Sequence, residues 1–90
     1  MEDDERFLAM VRALSDPTRL RIMKTLKGHR MCSCQILRFV DVSQPTLSHH
    51  MSVLLEAGLV RIIPTGRWYD YEVETEAIDF MDSFMDRLRE

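Results

Sequence analysis

Two proline-marked helix starts, each followed by a glycine stop, dictate the middle of this chain. Asp16-Pro17 sets a capping side chain before a proline at the first helical position. Ser43 precedes Pro45 by two residues, and a proline is tolerated in a first helical turn. Gly28 and Gly58 follow the last apolar residues of the two segments, where left-handed C-terminal caps are expected. The region between residues 16 and 58 can therefore hold only short helices joined by tight turns.

The flanking patterns fit the same scale. Phe7, Leu8, Val11 and Leu14 recur at helical spacing and predict a helix over residues 4–15. Leu20, Ile22, Met23 and Leu26 are the apolar set of a second helix ending near Lys27. A short third helix is expected over residues 32–40. Leu47, Met51, Leu54 and Leu55 form one face of a fourth, capped by Ser43. Residues 59–63, "LVRII", read as a β-branched strand. "PTGR", residues 64–67, reads as a turn, and residues 67–73 alternate as a second strand. Thr75 is the expected cap of a last helix with Ile78, Met81, Phe84, Met85 and Leu88 as its stripe. The fold class is mainly α, an α+β winged helix-turn-helix in the order α-α-α-α-β-β-α, and residues 1–90 form one domain.

Net charge is −3, which on its face disfavours a nucleic-acid partner. Its distribution says more. Residues 1–16 carry −3, residues 17–69 carry +6 and residues 70–90 carry −6. A basic centre between acidic ends permits a local positive surface. Chance clustering on solvated helix faces is the plainer alternative.

Other classes lack support. There is no Gly-rich phosphate loop, no nucleophile triad and no paired carboxylates, so no enzyme is expected. No apolar run approaches the ~20 residues that span a membrane. The acidic start "MEDDER" does not resemble a signal peptide, so the expected compartment is the cytoplasm, without a membrane partner.

At about 100° per residue, the side of the fourth helix opposite its apolar face carries Pro45, Thr46, His49, Ser52 and Glu56. Ser48 and His50 lie on the flanks. This face is small and polar enough for a major groove. The candidate DNA contacts are Ser43, Gln44, Thr46, Ser48, His49, His50 and Ser52, which can meet base edges or phosphates. An ordinary amphipathic helix with a polar exterior would look similar. His49 and His50 diverge by about 100° and are poor partners for one metal ion. A DNA contact from His49 and a structural hydrogen bond from His50 are expected instead. Arg67, at the hairpin tip, is the candidate phosphate or minor-groove contact. Trp68, Tyr69 and Tyr71 are expected to pack against the fourth helix.

"ALSDPTRLRIMKTL" (residues 13–26) and "VSQPTLSHHMSVLLEAGLV" (residues 42–60) together resemble the ArsR/SmtB family of winged-helix transcriptional repressors. The similarity spans nearly the whole chain. It implies a homodimer on double-stranded DNA with a twofold-symmetric operator, and first and last helices forming the dimer interface. The apolar stripes on residues 7–14 and 78–88 suit that role, with packing inside one chain as the alternative. It also implies that effector binding lowers DNA affinity, with no cofactor needed to bind DNA.

One branch of that family senses thiophilic ions through a Cys-x-Cys on its third helix, and Cys32-Ser33-Cys34 matches it in type and place. These two cysteines are the candidate metal ligands. Soft thiolates suit As(III), Sb(III) or a soft divalent metal. Arg30 and the helix start are expected to lower a thiol pKa. Residues i and i+2 of an intact helix point about 200° apart, so one ion would require the helix start to unwind. Leu37 stands where many arsenic sensors of this branch offer a third cysteine, and residues 75–90 lack the histidine of the family's zinc pattern. Three readings of the thiols stay open: ion sensing, oxidant sensing and inert burial.

Overall fold

The structure, a computed structural model, describes residues 2–90. Its elements are α1 (Glu2–Leu14), α2 (Pro17–Leu26), α3 (Ser33–Ile36), α4 (Gln44–Glu56), β1 (Val60–Thr65), β2 (Trp68–Val73) and α5 (Thr75–Arg87). This is the expected order, a winged helix-turn-helix.

The local signals act as their chemistry requires. Asp16 Oδ2 accepts from the Arg19 backbone N–H at 3.0 Å and caps α2. Ser43 does the same for α4. Gly28 and Gly58 take φ of 72° and 76° and end the helices before them. α1 starts at Glu2, earlier than expected, because Glu2, Asp3, Asp4 and Glu5 all suit the positive end of a helix dipole.

Three elements differ from the sequence expectation. α3 ends at Ile36 rather than near Val40. Arg38 and Phe39 donate to Gln35 and Ile36 carbonyls at i→i−3 spacing, and Arg21 Nε takes the Phe39 carbonyl at 2.7 Å. That tightened turn buries Val40 instead of extending the helix. Thr75 begins α5 but does not cap it; Glu74 holds that position without a side-chain bond. The Glu74 N–H donates to the Leu59 carbonyl at 2.9 Å, so the strand end fixes the helix start. β1 extends to Thr65, and the hairpin turns in the two residues Gly66-Arg67.

β1 and β2 pair antiparallel from Val60↔Val73 to Thr65↔Trp68. A further bridge joins Met31 to Tyr71 through both backbone bonds, at 2.8 and 3.0 Å. It ties the segment before α3 to the wing. The core collects Met10, Ile22, Leu26, Ile36, Leu47, Met51, Leu54 and Leu59, all fully buried. Tyr71 joins it, but Trp68 and Tyr69 are 72% and 50% exposed, contrary to the expectation that all three aromatics pack on the fourth helix. They lie near the hairpin tip, beyond the reach of that core. No helix among the described residues is long and apolar enough to cross a membrane.

α1 and α5 meet at their aromatic residues, yet both keep apolar groups outside. Leu8, Val11, Ile78, Met85 and Leu88 are exposed. No residue of the α5 stripe is fully buried, and Ala77 beside it is the buried residue of that helix.

Candidate DNA-reading face and thiol pair

α4 buries Leu47, Met51 and Leu54 and leaves Gln44, Thr46, Ser48, His49 and Ser52 in solvent with Ser43. The expected polar face is therefore free. Ser43 Oγ accepts the Thr46 N–H at 3.4 Å and donates its own proton to Thr46 Oγ1 at 3.0 Å. Thr46 already accepts, so its hydroxyl proton is left for an outside acceptor, such as a phosphate or a base edge. His50 lies apart from this group. It is half-buried on the flank, with Nδ1 3.1 Å from Arg19 Nη1.

The positive surface is narrower than the composition suggests. Glu72 pairs with Arg61 and, at 3.5 Å, with Arg30. Arg61 foremost, then Arg30, holds the Glu72 carboxyl below the usual carboxylate range. Arg19 and Arg21 are committed to the Ala13 and Phe39 carbonyls. Among the described residues, Lys24, Lys27, Arg38 and Arg67 have no carboxylate partner. Arg67 is exposed at the wing tip, where the expectation put it.

The thiols lie together. Cys32 Sγ and Cys34 Sγ are 2.7 Å apart, with both cysteines free. The expected need to unwind a helix does not arise, because Cys32 sits before the helix in extended backbone (φ −79°, ψ 168°). Only Cys34 belongs to α3. Gln35 Oε1 accepts the Cys32 N–H at 3.0 Å and holds that extended residue in place. The Cys34 thiol, then the Gln35 backbone N–H, lowers the Cys32 pKa, whereas Cys32 raises that of Cys34. Of the two expected causes, the helix start contributes through the Gln35 N–H, whereas Arg30 is turned toward Glu72.

The Met31–Tyr71 bridge brings the thiols to the wing. A groove of about 630 Å³ is lined by Cys32 and Cys34 together with Arg67, Trp68 and Tyr69 of the wing. Gln44, the first residue of α4, also lines it. Among the described residues no group of three or more His, Cys, Asp or Glu could hold a metal ion.

Some of this was absent from the sequence reading. The Met31–Tyr71 bridge and the Arg19–His50 contact join residues 40 and 31 positions apart, and no local spacing announces either. The turn read at residues 64–67 was a local sign that Trp68 would stand near the hairpin tip, but nothing local set it beside the thiols.

Comparison with known proteins agrees with the geometry. Residues 16–61, from the α2 cap into β1, match the family described as "Bacterial regulatory protein, arsR family". The arsenical resistance operon repressor of Staphylococcus xylosus is 36% identical over 77 residues, covering 86% of this chain and 74% of its own. An ArsR-like transcriptional regulator from Rhodococcus sp. RHA1 superposes with a TM-score of 0.91 at 22% identity, over 98% of this chain and 83% of that one. The homodimeric winged helix-turn-helix DNA-binding domain of Mb0332 from Mycobacterium bovis gives 0.75 at 21% identity, over 92% and 79%. The chain belongs to the arsR family of bacterial regulatory proteins, and it is a DNA-binding transcriptional regulator rather than an enzyme.

Proposed function

We propose that this chain is a homodimeric repressor of a twofold-symmetric operator, released when a thiophilic ion such as As(III) bridges Cys32 and Cys34. One observation carries the reading: the thiol pair, Gln44 and Arg67 line the same groove. An ion held by the sulfurs sits beside groups from both DNA-contacting elements. Ser43, Gln44, Thr46, Ser48, His49 and Ser52 read or steady the operator, and Arg67 binds phosphate from the wing. His50 acts on the helix itself, through Arg19.

The chemistry balances with two ligands. Arsenous acid has three hydroxyls. Each thiol replaces one, forming a sulfur–arsenic bond and releasing one water. The third hydroxyl would stay on arsenic. Release from DNA requires that the ion favour a conformation with lower DNA affinity, since equal affinity for both conformations shifts nothing. Sb(III) or a soft divalent metal is the alternative effector of the same pair.

Dimerisation is supported by the exposed Leu8, Val11, Ile78, Met85 and Leu88 on the two terminal helices. The Mycobacterium bovis neighbour is a homodimer of the same fold. The Staphylococcus xylosus relative is an arsenical resistance repressor, which supports a metalloid effector. Such a regulator works where its operator is, in the cytoplasm.

The sulfur separation favours a second reading. Two thiols at 2.7 Å can pass two electrons and two protons to a peroxide, giving a disulfide and two waters. With one residue between them that disulfide would be strained and easily reduced.

Operator binding decides between these. Wild type and the Cys32→Ser/Cys34→Ser double variant are compared with arsenite, antimonite, cadmium, zinc and peroxide in turn. The double variant should bind operator and ignore arsenite. Arsenite release that persists in it removes the thiols as the sensor.

A further inference from the structure

The side chain of Arg19 joins three helices. Its Nε donates to the Ala13 carbonyl in the last turn of α1 at 2.6 Å, an acceptor with no partner further along that helix. Its own N–H is held by Asp16 at the start of α2. Its Nη1 lies 3.1 Å from His50 Nδ1 on α4. A guanidinium has five donors and no acceptor, and it stays charged at any ordinary pH. The bond therefore exists only if His50 Nδ1 has a free lone pair. That describes a neutral ring with its proton on Nε2.

We infer that His50 is a positioning residue for operator recognition, and that its neutral Nε2–H form locks α4 onto Arg19 while protonation unlocks it. His50 stands four residues after Thr46 and two after Ser48, so its anchor sets how that face meets the groove. A protonated ring would aim a donor at a cation and lose the bond. The groups facing this contact do not compensate both charges. Asp16, at the start of α2, accepts the Arg19 N–H and brings one negative charge near both Arg19 and His50, against the two positive charges that a protonated ring would make. His49, the neighbouring ring at 5.7 Å, can only add positive charge. Arg12 of α1 and Glu56 of α4 line a hollow with Arg19 and bring one charge of each sign.

Acidification has two opposite effects on DNA binding. Added positive charge on any histidine strengthens attachment to all DNA. A loosened α4 weakens only the preference for the right sequence. The ratio of operator to random-duplex affinity isolates the second effect.

The test rests on α4 being the reading helix and uses a duplex selected from a random library as the tightest binder. That ratio is measured for wild type and His50→Gln from about pH 8 to about pH 5.5, the span in which imidazoles titrate. Gln offers Arg19 an oxygen acceptor and does not titrate. Wild type should lose about tenfold in the ratio on acidification, the scale of one charge-assisted hydrogen bond, while His50→Gln stays flat at whatever level it starts. Coincident profiles would overturn the inference. If no duplex is enriched over random DNA, the reading of α4 fails instead. Nitrogen-15 NMR of the histidine rings then still decides the lock: at pH 8 His50 should be the Nε2–H tautomer, and an Nδ1–H tautomer overturns it.

Discussion

Phe7 of α1 and Phe84 of α5 stack face to face, with ring centroids 4.1 Å apart and planes 9° from parallel. The pair holds the two ends of the chain together. Phe80 lies 6.2 Å from Phe84, and the Arg6 guanidinium covers Phe80 at 4.1 Å. Arg6 also pairs with Glu76 at 3.2 Å, so the aromatic seam has a polar rim. What the seam leaves outside, Leu8 and Met85 among others, is the surface available to a second copy.

The seam and the outer face make separate predictions. Phe84→Ala removes a stacked, partly buried ring and should cost up to about 3 kcal/mol in urea unfolding. Leu8→Glu touches no core group and should leave helical content unchanged, yet move the protein from dimer to monomer in sedimentation. A Leu8→Glu protein that stays dimeric would place the interface elsewhere. On the proposed twofold operator, the monomer should also bind far more weakly.

The wing and α4 are separable on DNA. Arg67→Ala should weaken operator and random duplex alike and reduce the salt slope by about one. Thr46→Ala should instead narrow the gap between them, because it removes the proton that Ser43 leaves pointing outward. Equal loss on both duplexes from Thr46→Ala would make that hydroxyl a phosphate contact. Ser43→Ala should act through the helix, lowering stability by about 1 kcal/mol.

The parts of the fold written in short-range chemistry were legible before any coordinates. Asp16, Ser43, Gly28 and Gly58 place the helix ends because caps depend only on neighbours three or four residues away. The stripe of Leu47, Met51 and Leu54 is equally local, and so is the polar face opposite. The legible part stops where side chains choose distant partners. Glu72 neutralises Arg30 and Arg61 only because the hairpin register and the Met31 bridge bring them together. The helix reading put Cys32 inside α3 and so set the two sulfurs on opposite sides. One extended residue reverses that, and nothing in a Cys-Ser-Cys triplet reveals where the first turn begins.

The two thiols should differ in reactivity. Cys34 and the Gln35 N–H stabilise the Cys32 thiolate, so Cys32 ionises below the ordinary thiol range and Cys34 above it. The sign follows directly. As pH rises, Cys32 becomes nucleophilic first, and single alkylation by iodoacetamide at limiting reagent should map to Cys32 by peptide mass. Cys34→Ser replaces the thiol donor and should shift the pH at half-maximal alkylation. Cys34→Ala removes that donor altogether and should shift it upward. Preferred labelling of Cys34 would contradict the assignment.

Trp68 gives the proposed effector site an internal reporter. It is the single tryptophan, 72% exposed, and it lines the same groove as Cys32 and Cys34. Arsenic held by both sulfurs would change the surroundings of an indole that lines the same groove. Arsenite should therefore alter Trp68 emission saturably, with one equivalent per chain, in the absence of DNA. The Cys32→Ser/Cys34→Ser variant should show no such change. A Trp68→Phe variant separates signal from binding: it should lose the emission change and still release operator when arsenite is added. Release without any change in Trp68 emission would mean that the bound ion lies away from the wing. The shared groove would then not connect the thiols to DNA, and the signal would have to travel through α3 and its turn into α4.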